Sequence, residues 1–405
     1  MCQPNSVRNN KFRIVDMENE IQRRVKDCIR GSLMAGAAGD ALGYPVEFMS
    51  RKAIFSHYGD KGITQFKLDR NGKALVSDDT QMTLFTANGL LTGLTRGFEP
   101  EKCIADAYLD WYYTQTGIKG DANACTWLRD LPEMAHQRAP GTTCMGACES
   151  LIMHERPQNY SKGCGGIMRV APMGLLDAAF RAKEGKGLYV PDRLAEAGAA
   201  IAKATHLHPL GYMPAALMTL LLSRQVALSP EEAKGSIVGI VEEALNTIMR
   251  MDGNEHASDK KYLSDLTKKA IQLAQSNVTD ESAIRQLGEG WVAEESWAIS
   301  LFCAVRHIDS MKDAIIAAVN HDGDSDSTGS MTGNIMGAIY GYESMKQERL
   351  FCPEGKEFED TIELSNIILA LADDLYSGGA VSGHDSATLE KKQWHTRYCE
   401  MKFFP

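Results

Sequence analysis

The chain has 405 residues, 44% of them hydrophobic, which is enough to bury a large core in one domain or two. A net charge of −10 without a long basic run argues against a nucleic-acid or membrane surface. The ten cysteines follow neither a paired framework nor a zinc spacing, which favours reduced thiols and a cytoplasmic location. Because no run of 18 apolar residues and no apolar signal segment occurs, we expect a soluble intracellular protein.

The N-terminal residues 1–16 are polar and aperiodic, and we expect them to form a loose arm. From Met17 onwards, apolar residues recur at helical spacing into a small-residue segment that ends at Asp40. The next loop, 42–48, carries the carboxylate of Glu47. Further helices are predicted over 79–92, 101–115, 142–154, 192–206, 214–226, 230–251, 259–275, 293–306, 310–320, 328–343 and 358–376.

Alternating patterns typical of strands are few, and the best of them covers residues 63–68. The predicted fold class is therefore all-α. Neither a repeat of fixed period nor a long Gly/Ser or Pro linker divides the chain, so we expect one compact domain over 17–378. Residues 379–405 turn polar and irregular before an aromatic end and are interpreted as a C-terminal appendage.

Two acidic clusters, Ser77–Thr80 and Asp324–Ser327, carry the strongest chemical signal. Each packs two carboxylates and flanking hydroxyls into four residues, which repel one another unless cations or helix N-termini neutralise them. Ligand sets made only of oxygen suit a hard cation such as Mg²⁺ rather than zinc. If the clusters meet in the fold, they can hold two metal ions and an activated water, which points to a metal-dependent hydrolase.

Each acidic cluster also has a simpler interpretation. Ser77 is a good N-cap, so the first cluster could be a plain helix start. In the second cluster, the spacing of the aspartates suggests an EF-hand. That loop needs Gly at its sixth position and Glu at its twelfth, and the chain has Ser327 and Gly333 there. The EF-hand interpretation is therefore rejected.

Two further segments could contact a ligand. The glycine-rich turn Gly163–Gly166 leads into a helix, so its backbone N–H groups could approach phosphate or ribose oxygens. It could equally be a tight turn between helices, with Arg169 as a structural ion-pair partner. The segment Thr205–Pro209 ends a helix and offers imidazoles to a ligand, although histidine is also favoured there by the helix dipole. Cys144 and Cys148, one helical turn apart, are interpreted as buried free thiols.

Five segments taken in order resemble the ADP-ribosylglycohydrolase family, over roughly residues 25–378, and most closely its branch containing dinitrogenase reductase-activating glycohydrolase. They are Gly39–Phe48, Ser77–Met82, Gly165–Pro172, Thr205–Leu210 and Gly323–Gly329. The resemblance implies a compact orthogonal bundle of helices with two Mg²⁺ ions, or Mn²⁺ in their place. It also implies hydrolysis of the glycosidic bond between ADP-ribose and a protein side chain, with ADP-ribose and an ADP-ribosylated protein as partners.

The resemblance also implies roles for individual residues. The implied metal ligands are Ser77, Asp78, Asp79, Asp324, Asp326 and Ser327. The implied contacts with the nucleotide are Gly163, Cys164, Gly165, Gly166, Met168 and His206. Glu47 and Asp324 are the expected catalytic carboxylates. Glu47 could act as a general base or as a ligand that is exchanged when the substrate enters.

Two positions depart from the family pattern. Cys164 stands where relatives commonly have Asn, and Ala139 stands where some arginine-directed members have Asp. We expect arginine-linked ADP-ribose as the substrate, with serine-linked ADP-ribose or O-acetyl-ADP-ribose as alternatives. A third alternative is a non-catalytic member that binds ADP-ribose or a partner. Loss of acidic ligands would mark such a member, and the five carboxylates of the implied site are all present.

Overall fold

The computed structural model describes residues 5–120, 124–226, 228–378 and 389–403. These described residues form eighteen α-helices and five short 3-10 turns. The helices are α1 (Asn5–Gly43), α2 (Arg51–Tyr58), α3 (Asp78–Thr95), α4 (Ile104–Thr116), α5 (Thr142–Ile152), α6 (Ala171–Glu184), α7 (Pro191–Lys203), α8 (Pro209–Gln225), α9 (Pro230–Arg250), α10 (Ala257–Ala274), α11 (Asp280–Leu287), α12 (Ala293–Arg306), α13 (Met311–Val319), α14 (Ser325–Tyr340), α15 (Tyr342–Glu348), α16 (Phe358–Thr361), α17 (Ser365–Ser377) and α18 (Leu389–Tyr398). The 3-10 turns are Tyr44–Val46, Pro100–Cys103, Trp127–Asp130, Pro132–Met134 and Cys164–Gly166.

The all-α prediction is confirmed. The alternating pattern over 63–68 forms no strand, and the part of the chain that the structure describes contains only isolated β-bridges, one of which joins Leu68 to Ala74. Five described helices lie outside the predicted ranges, namely α2, α6, α11, α15 and α18. Three of these have only seven or eight residues, which is too short for a periodic pattern to stand out. None of the described helices combines the length and apolar character that crossing a membrane requires.

Both ends of the chain differ in detail from the expectation. Helix α1 begins at Asn5, so the helix extends twelve residues further than the predicted start at Met17. At the other end, α18 packs onto the helical body. The Nη1 atom of Arg397 donates to both carboxylate oxygens of Asp374, at 2.8 and 2.7 Å, and the hydroxyl of Tyr398 donates to the same carboxylate. Helix α18 is therefore anchored to α17. The domain boundaries themselves remain predictions.

Three helices, α3, α8 and α14, are buried on nearly every side and form the centre of the fold. Their residues are apolar, small or hydroxyl-bearing around the whole helix, as expected for a helix without a solvent-facing side. The two acidic clusters lie at the N-termini of α3 and α14. The predicted metal ligands are thus carried by buried helix starts rather than by surface loops.

Helices α1 and α14 pack with their backbones in direct contact. A Cβ atom at Gly39 would lie 2.0 Å from the carbonyl oxygen of Gly329, and one at Gly333 would lie 2.0 Å from that of Ala35. The close contacts recur at four-residue intervals, so they form one stripe along each helix. At the end of the stripe, a Cβ atom at Gly43 would lie 2.3 Å from the carbonyl oxygen of Ser325. The loop after α1 is therefore held directly against the start of α14.

We predict that Gly333→Ala lowers the stability of the protein, because the added methyl group would overlap a backbone oxygen that cannot move without separating α1 from α14. The expected net loss is about 1–3 kcal/mol, measured as a fall in the denaturation midpoint. The matched control is Gly239→Ala in α9, where a Cβ atom meets nothing within 4 Å. There the better helix propensity of alanine should stabilise the protein by up to about 1 kcal/mol. Equal midpoints for the two variants would contradict the packing argument.

Candidate active site

The two acidic clusters meet in the fold. The hydroxyl of Ser327 donates to Oδ1 of Asp79 over 3.3 Å, although the two residues are 248 positions apart in the chain. Carboxylate oxygens of Glu47, Asp324 and Asp326 all lie within 4.8 Å of one another. All of these side chains are buried. The fold therefore brings together the N-termini of α3 and α14 and the loop that follows α1.

The cluster contains more negative charge than its protein surroundings neutralise. Oε2 of Glu47 and Oδ2 of Asp79 are buried and have no hydrogen-bond partner among the described residues. Burial, followed by repulsion from Asp326 and Asp324, holds the pKa of Glu47 far above its ordinary value. Burial likewise raises the pKa of Asp79. Unsatisfied buried carboxylate oxygens are the expected signature of a cation site, and a ligand set made only of oxygen fits a hard divalent ion.

The first cluster is both a helix cap and part of this site. The hydroxyl of Ser77 accepts a hydrogen bond from the backbone N–H of Asp79 over 3.2 Å, as the simpler interpretation predicts. The same side chain also forms a hydrogen bond with the carboxylate of Asp326. Oδ2 of Asp78 accepts from the backbone N–H of Gly141 over 3.1 Å, so it connects α3 to the segment before α5. The two interpretations of this cluster are therefore compatible.

A sixth carboxylate, that of Asp40, was not among the predicted site residues. It lies at the end of the glycine stripe in α1 and accepts hydrogen bonds from the backbone N–H groups of Ser77 and Thr80 and from the hydroxyl of Thr80. Burial, followed by repulsion from Asp326, raises the pKa of Asp40 to about 7. Asp40 thus fixes the start of α3 from a neighbouring helix. The signal in the sequence was its place beside Gly39 in the first family-like segment.

The glycine-rich turn adjoins the second acidic cluster. Residues Cys164–Gly166 form a 3-10 turn, and the backbone N–H of Cys164 donates to the carbonyl oxygen of Trp291 over 3.2 Å. The thiol of Cys164 lies beside Asp324 and Ser327, and burial, followed by the charge of Asp324, raises its pKa. A Cβ atom at Gly166 would lie 2.9 Å from the carbonyl oxygen of Gly211, so the turn packs tightly on α8. The side chain of Cys164 therefore lies between the glycine-rich turn and the carboxylates of the second acidic cluster.

His206 lies against this glycine-rich turn, and its hydrogen bonds fix its tautomer. A guanidinium N–H of Arg169 donates to the hydroxyl oxygen of Thr205, which leaves the hydroxyl proton to be donated to Nδ1 of His206 over 2.8 Å. Burial, followed by the charge of Arg169, lowers the pKa of His206 to about 3, so the ring is neutral and its proton is on Nε2. A Cβ atom at Gly163 would lie 3.2 Å from that nitrogen. His206 therefore presents an N–H donor to the turn.

Arg169 and Met168 are both buried next to the glycine-rich turn. Within the described ranges, Arg169 makes no ion pair with a carboxylate. Its guanidinium lies over the ring of Tyr108, 4.1 Å from the centroid, and donates to neutral oxygen and sulfur acceptors. Met168 packs in the hydrophobic core, and its contact with the nucleotide stays a prediction.

Trp291 lies in the turn before α12, outside the helix predicted over 293–306, and is 37% exposed. Its ring stacks on that of Phe48, with centroids 5.7 Å apart and planes inclined by 15°. Since Phe48 follows Glu47 and the carbonyl of Trp291 holds Cys164, this residue joins the Glu47 loop to the glycine-rich turn. Periodicity gives no signal for such a contact.

Comparison with known proteins identifies the family. A model of the family described as ADP-ribosylglycohydrolase matches residues 21–384, so the chain belongs to this family, and the resemblance found in the sequence is confirmed.

Three relatives show the range of similarity. ADP-ribosylhydrolase ARH3 of Bos taurus is 28% identical over 235 residues, which cover 54% of this chain and 61% of the relative. The Danio rerio protein of the same name is 26% identical over an alignment that covers 82% of this chain and 88% of the relative. ADP-ribosyl-[dinitrogen reductase] glycohydrolase of Rhodospirillum rubrum is 25% identical over an alignment that covers 86% of this chain and 97% of the relative. The match to the Bos taurus protein thus spans less than two thirds of that relative's length.

A solved structure described as an ADP-ribosylglycohydrolase-related protein complex has the same fold. It superposes with a TM-score of 0.57 at 21% identity, over 88% of this chain and 99% of the solved one.

We predict that Asp40→Asn weakens Mg²⁺ binding by about 10–100-fold, as is typical when a residue that orients metal ligands is changed. Asp40 now accepts hydrogen bonds from N–H groups at the start of α3. The amide of the variant would place its own N–H group against these donors, so the start of α3 should shift. Isothermal titration with Mg²⁺ measures the affinity. The control is Asp106→Asn, which removes one carboxylate from the exposed face of α4. Unchanged affinity in Asp40→Asn would show that Asp40 does not position the ligands.

Proposed function

We propose that this protein hydrolyses the glycosidic bond between ADP-ribose and a protein side chain and so reverses mono-ADP-ribosylation. The observation that carries the proposal is the meeting of two acidic helix starts, with unsatisfied carboxylate oxygens, directly beside a glycine-rich turn. Membership of the ADP-ribosylglycohydrolase family supports this reaction class. The proposed partners are ADP-ribose and an ADP-ribosylated protein, and the proposed location is the cytoplasm.

The proposed cofactor is a pair of Mg²⁺ ions, with Mn²⁺ as a substitute. The residues that would hold them are Ser77, Asp78, Asp79, Asp324, Asp326 and Ser327. Such ions, when bound, hold ribose hydroxyls in place and lower the pKa of an attacking water. The carboxylates without partners and the oxygen-only ligand set support this assignment.

The side chains of the protein supply binding and proton transfer. Backbone N–H groups of the glycine-rich turn and the Nε2–H group of His206 donate towards the diphosphate or the distal ribose. As the bond to C1 of the proximal ribose breaks, positive charge develops on the ring, and the surrounding carboxylates stabilise it. Glu47 accepts the proton of the attacking water, because it is the carboxylate in this cluster that comes from a loop rather than a helix start.

Hydrolysis is favoured over a role confined to binding. A protein that only held ADP-ribose would gain nothing from a cluster of buried carboxylates, because these repel the diphosphate of the ligand. Keeping such a cluster costs stability unless a counter-charge is present. All the acidic side chains that the family resemblance assigns to the site are retained.

For the linkage, we propose that arginine is preferred over serine. The site contains six carboxylates, and their ionisation around two bound divalent ions would leave a net negative charge, which favours a cationic guanidinium leaving group over a neutral hydroxyl. They are Asp40, Glu47, Asp78, Asp79, Asp324 and Asp326. The similarity to the Rhodospirillum rubrum glycohydrolase over most of both chains supports this choice. Ala139 supplies no carboxylate at the position that some arginine-directed relatives use, which leaves the buried cluster as the source of selectivity.

We predict that Asp324→Asn and Glu47→Gln separate metal binding from proton transfer. Asp324→Asn removes an anionic ligand, so Mg²⁺ affinity and turnover should both be lost while the helical core stays folded. Glu47→Gln removes the proposed base, so turnover should fall by about 10²–10⁴-fold with Mg²⁺ affinity retained. Titration calorimetry measures the metal, and release of ADP-ribose from a modified peptide measures turnover.

The matched control is Asp322→Asn, two positions before Asp324 in the same loop. Asp322 is exposed, and its Oδ1 accepts from the backbone N–H of Arg51 over 2.8 Å, a bond that an amide oxygen can keep. This variant has the same change of charge and should bind metal and turn over normally. Normal behaviour of Asp324→Asn as well would refute the proposed metal site, and loss of Mg²⁺ in Glu47→Gln would make Glu47 an obligatory ligand.

We predict that an arginine-linked ADP-ribosyl peptide is hydrolysed at least about tenfold faster than a serine-linked peptide of the same sequence, a difference of ~1.4 kcal/mol in the barrier. Release of ADP-ribose is measured for both peptides with and without EDTA. Faster release from the serine-linked peptide would overturn the arginine assignment and leave the hydrolase proposal standing. Release of the same size in the presence of EDTA would overturn the metal assignment.

A further inference from the structure

Two cysteines far from the acidic cluster lie in contact with each other. Cys103 immediately precedes α4, and Cys125 follows that helix, 22 positions later. The thiol of Cys125 donates to the carbonyl oxygen of Cys103 over 3.7 Å, which places its sulfur directly beside Cys103. Both residues are nearly buried, at 4% and 5% exposure, so only a small reagent can reach them.

Hydrogen bonds to other residues hold the backbone of Cys125 in place beside Cys103. The backbone N–H groups of Cys125 and Thr126 both donate to Oδ2 of Asp110, over 2.8 and 2.7 Å. The hydroxyl of Thr92 donates to the carbonyl oxygen of Cys125 over 3.0 Å, and Arg129 forms an ion pair with Asp110. Because α3 and α4 hold the Cys125 backbone, the two thiols are already positioned for a reaction between them.

The two thiols are chemically unequal. The hydrogen bond donated by Cys125, followed by the charge of Arg96, lowers the pKa of Cys103 below that of an ordinary thiol. The same contact, followed by burial, raises the pKa of Cys125. Cys103 is therefore the better nucleophile, and Cys125 is placed to react with whatever forms on the Cys103 sulfur.

We propose that Cys103 and Cys125 form a redox-active dithiol that hydrogen peroxide converts into a reversible disulfide. The thiolate sulfur of Cys103 attacks one peroxide oxygen, the O–O bond breaks, and the hydroxide released takes up a proton to become water. The sulfur of Cys125 then attacks the sulfenic acid on Cys103, the S–S bond forms, the S–O bond breaks, and the hydroxyl leaves as water with the thiol proton of Cys125. Two thiols are oxidised to one disulfide, and one peroxide is reduced to two waters.

This dithiol is a separate site from the carboxylate cluster, so the inference does not rest on the proposed hydrolase activity. A thiol-reducing compartment would return the disulfide to the dithiol, which suits a reversible modification better than a permanent crosslink. The other pair noted in the sequence, Cys144 and Cys148, provides an internal comparison. Both are buried, one helical turn apart, and burial is the main cause of their raised pKa values.

The test is to treat the folded full-length protein with about one equivalent of hydrogen peroxide, unfold it, block the remaining thiols with N-ethylmaleimide and map the peptides by mass spectrometry. We expect a crosslinked pair of peptides containing Cys103 and Cys125, about 2 Da lighter than their sum, which dithiothreitol removes. These two cysteines should be oxidised at least about tenfold faster than Cys144 and Cys148. Retention of both as free thiols while other cysteines oxidise would overturn the proposal.

Two single variants test the order of the steps. In Cys125→Ser, oxidation should stop at the sulfenic acid of Cys103, which dimedone traps. In Cys103→Ser, Cys125 should be no more reactive than Cys144, and no crosslink should form. Circular dichroism shows whether each variant is folded. If a variant does not fold, the peptide mapping of the wild-type protein decides the proposal. A disulfide from either cysteine to a different partner would also overturn it.

Discussion

The direct backbone contact between α1 and α14 is the constraint on which the site depends. Glycines facing one another at four-residue intervals allow the two helices to approach until their carbonyl oxygens nearly touch the opposite helix. This contact ends where Gly43 meets Ser325, which sets the distance between the Glu47 loop and the start of α14. A larger residue in the stripe would move Asp40, Glu47 and the Asp324 cluster relative to one another.

A second consequence of this packing concerns charge. Both acidic clusters sit at helix N-termini, where the partial positive charge of the helix and its unpaired N–H groups favour carboxylates. The carboxylate of Asp40 is stabilised in this way, since it accepts hydrogen bonds from two N–H groups and one hydroxyl at the start of α3. Glu47 and Asp79 each keep an oxygen without a partner. Helix starts therefore satisfy only part of the carboxylate oxygens of this cluster.

The sequence predicted those elements whose signal is local. Long helices such as α9 and α10 carry a periodic apolar face, and the starts of α3 and α14 carry capping and acidic residues that stand out without a structure. The helices of seven or eight residues were missed because two turns give too few apolar positions. Asp40 and Trp291 were missed because their roles depend on residues far away in the chain. The same limit hid the contact between Cys103 and Cys125.

The turn before α12 shows why such distant contacts matter for specificity. The carbonyl of Glu289 accepts the backbone N–H of Asp324 over 2.9 Å, the carbonyl of Trp291 accepts that of Cys164, and the indole ring of Trp291 stacks on Phe48. One short segment thus contacts the acidic start of α14, the glycine-rich turn and the Glu47 loop. Phe48 is 77% exposed, so the outer face of this assembly is open to solvent. Because its inner face is fixed by backbone hydrogen bonds, exposed side chains here can vary between relatives without disturbing the carboxylates. Such variation offers a physical route by which one family could retain its chemistry and change its targets.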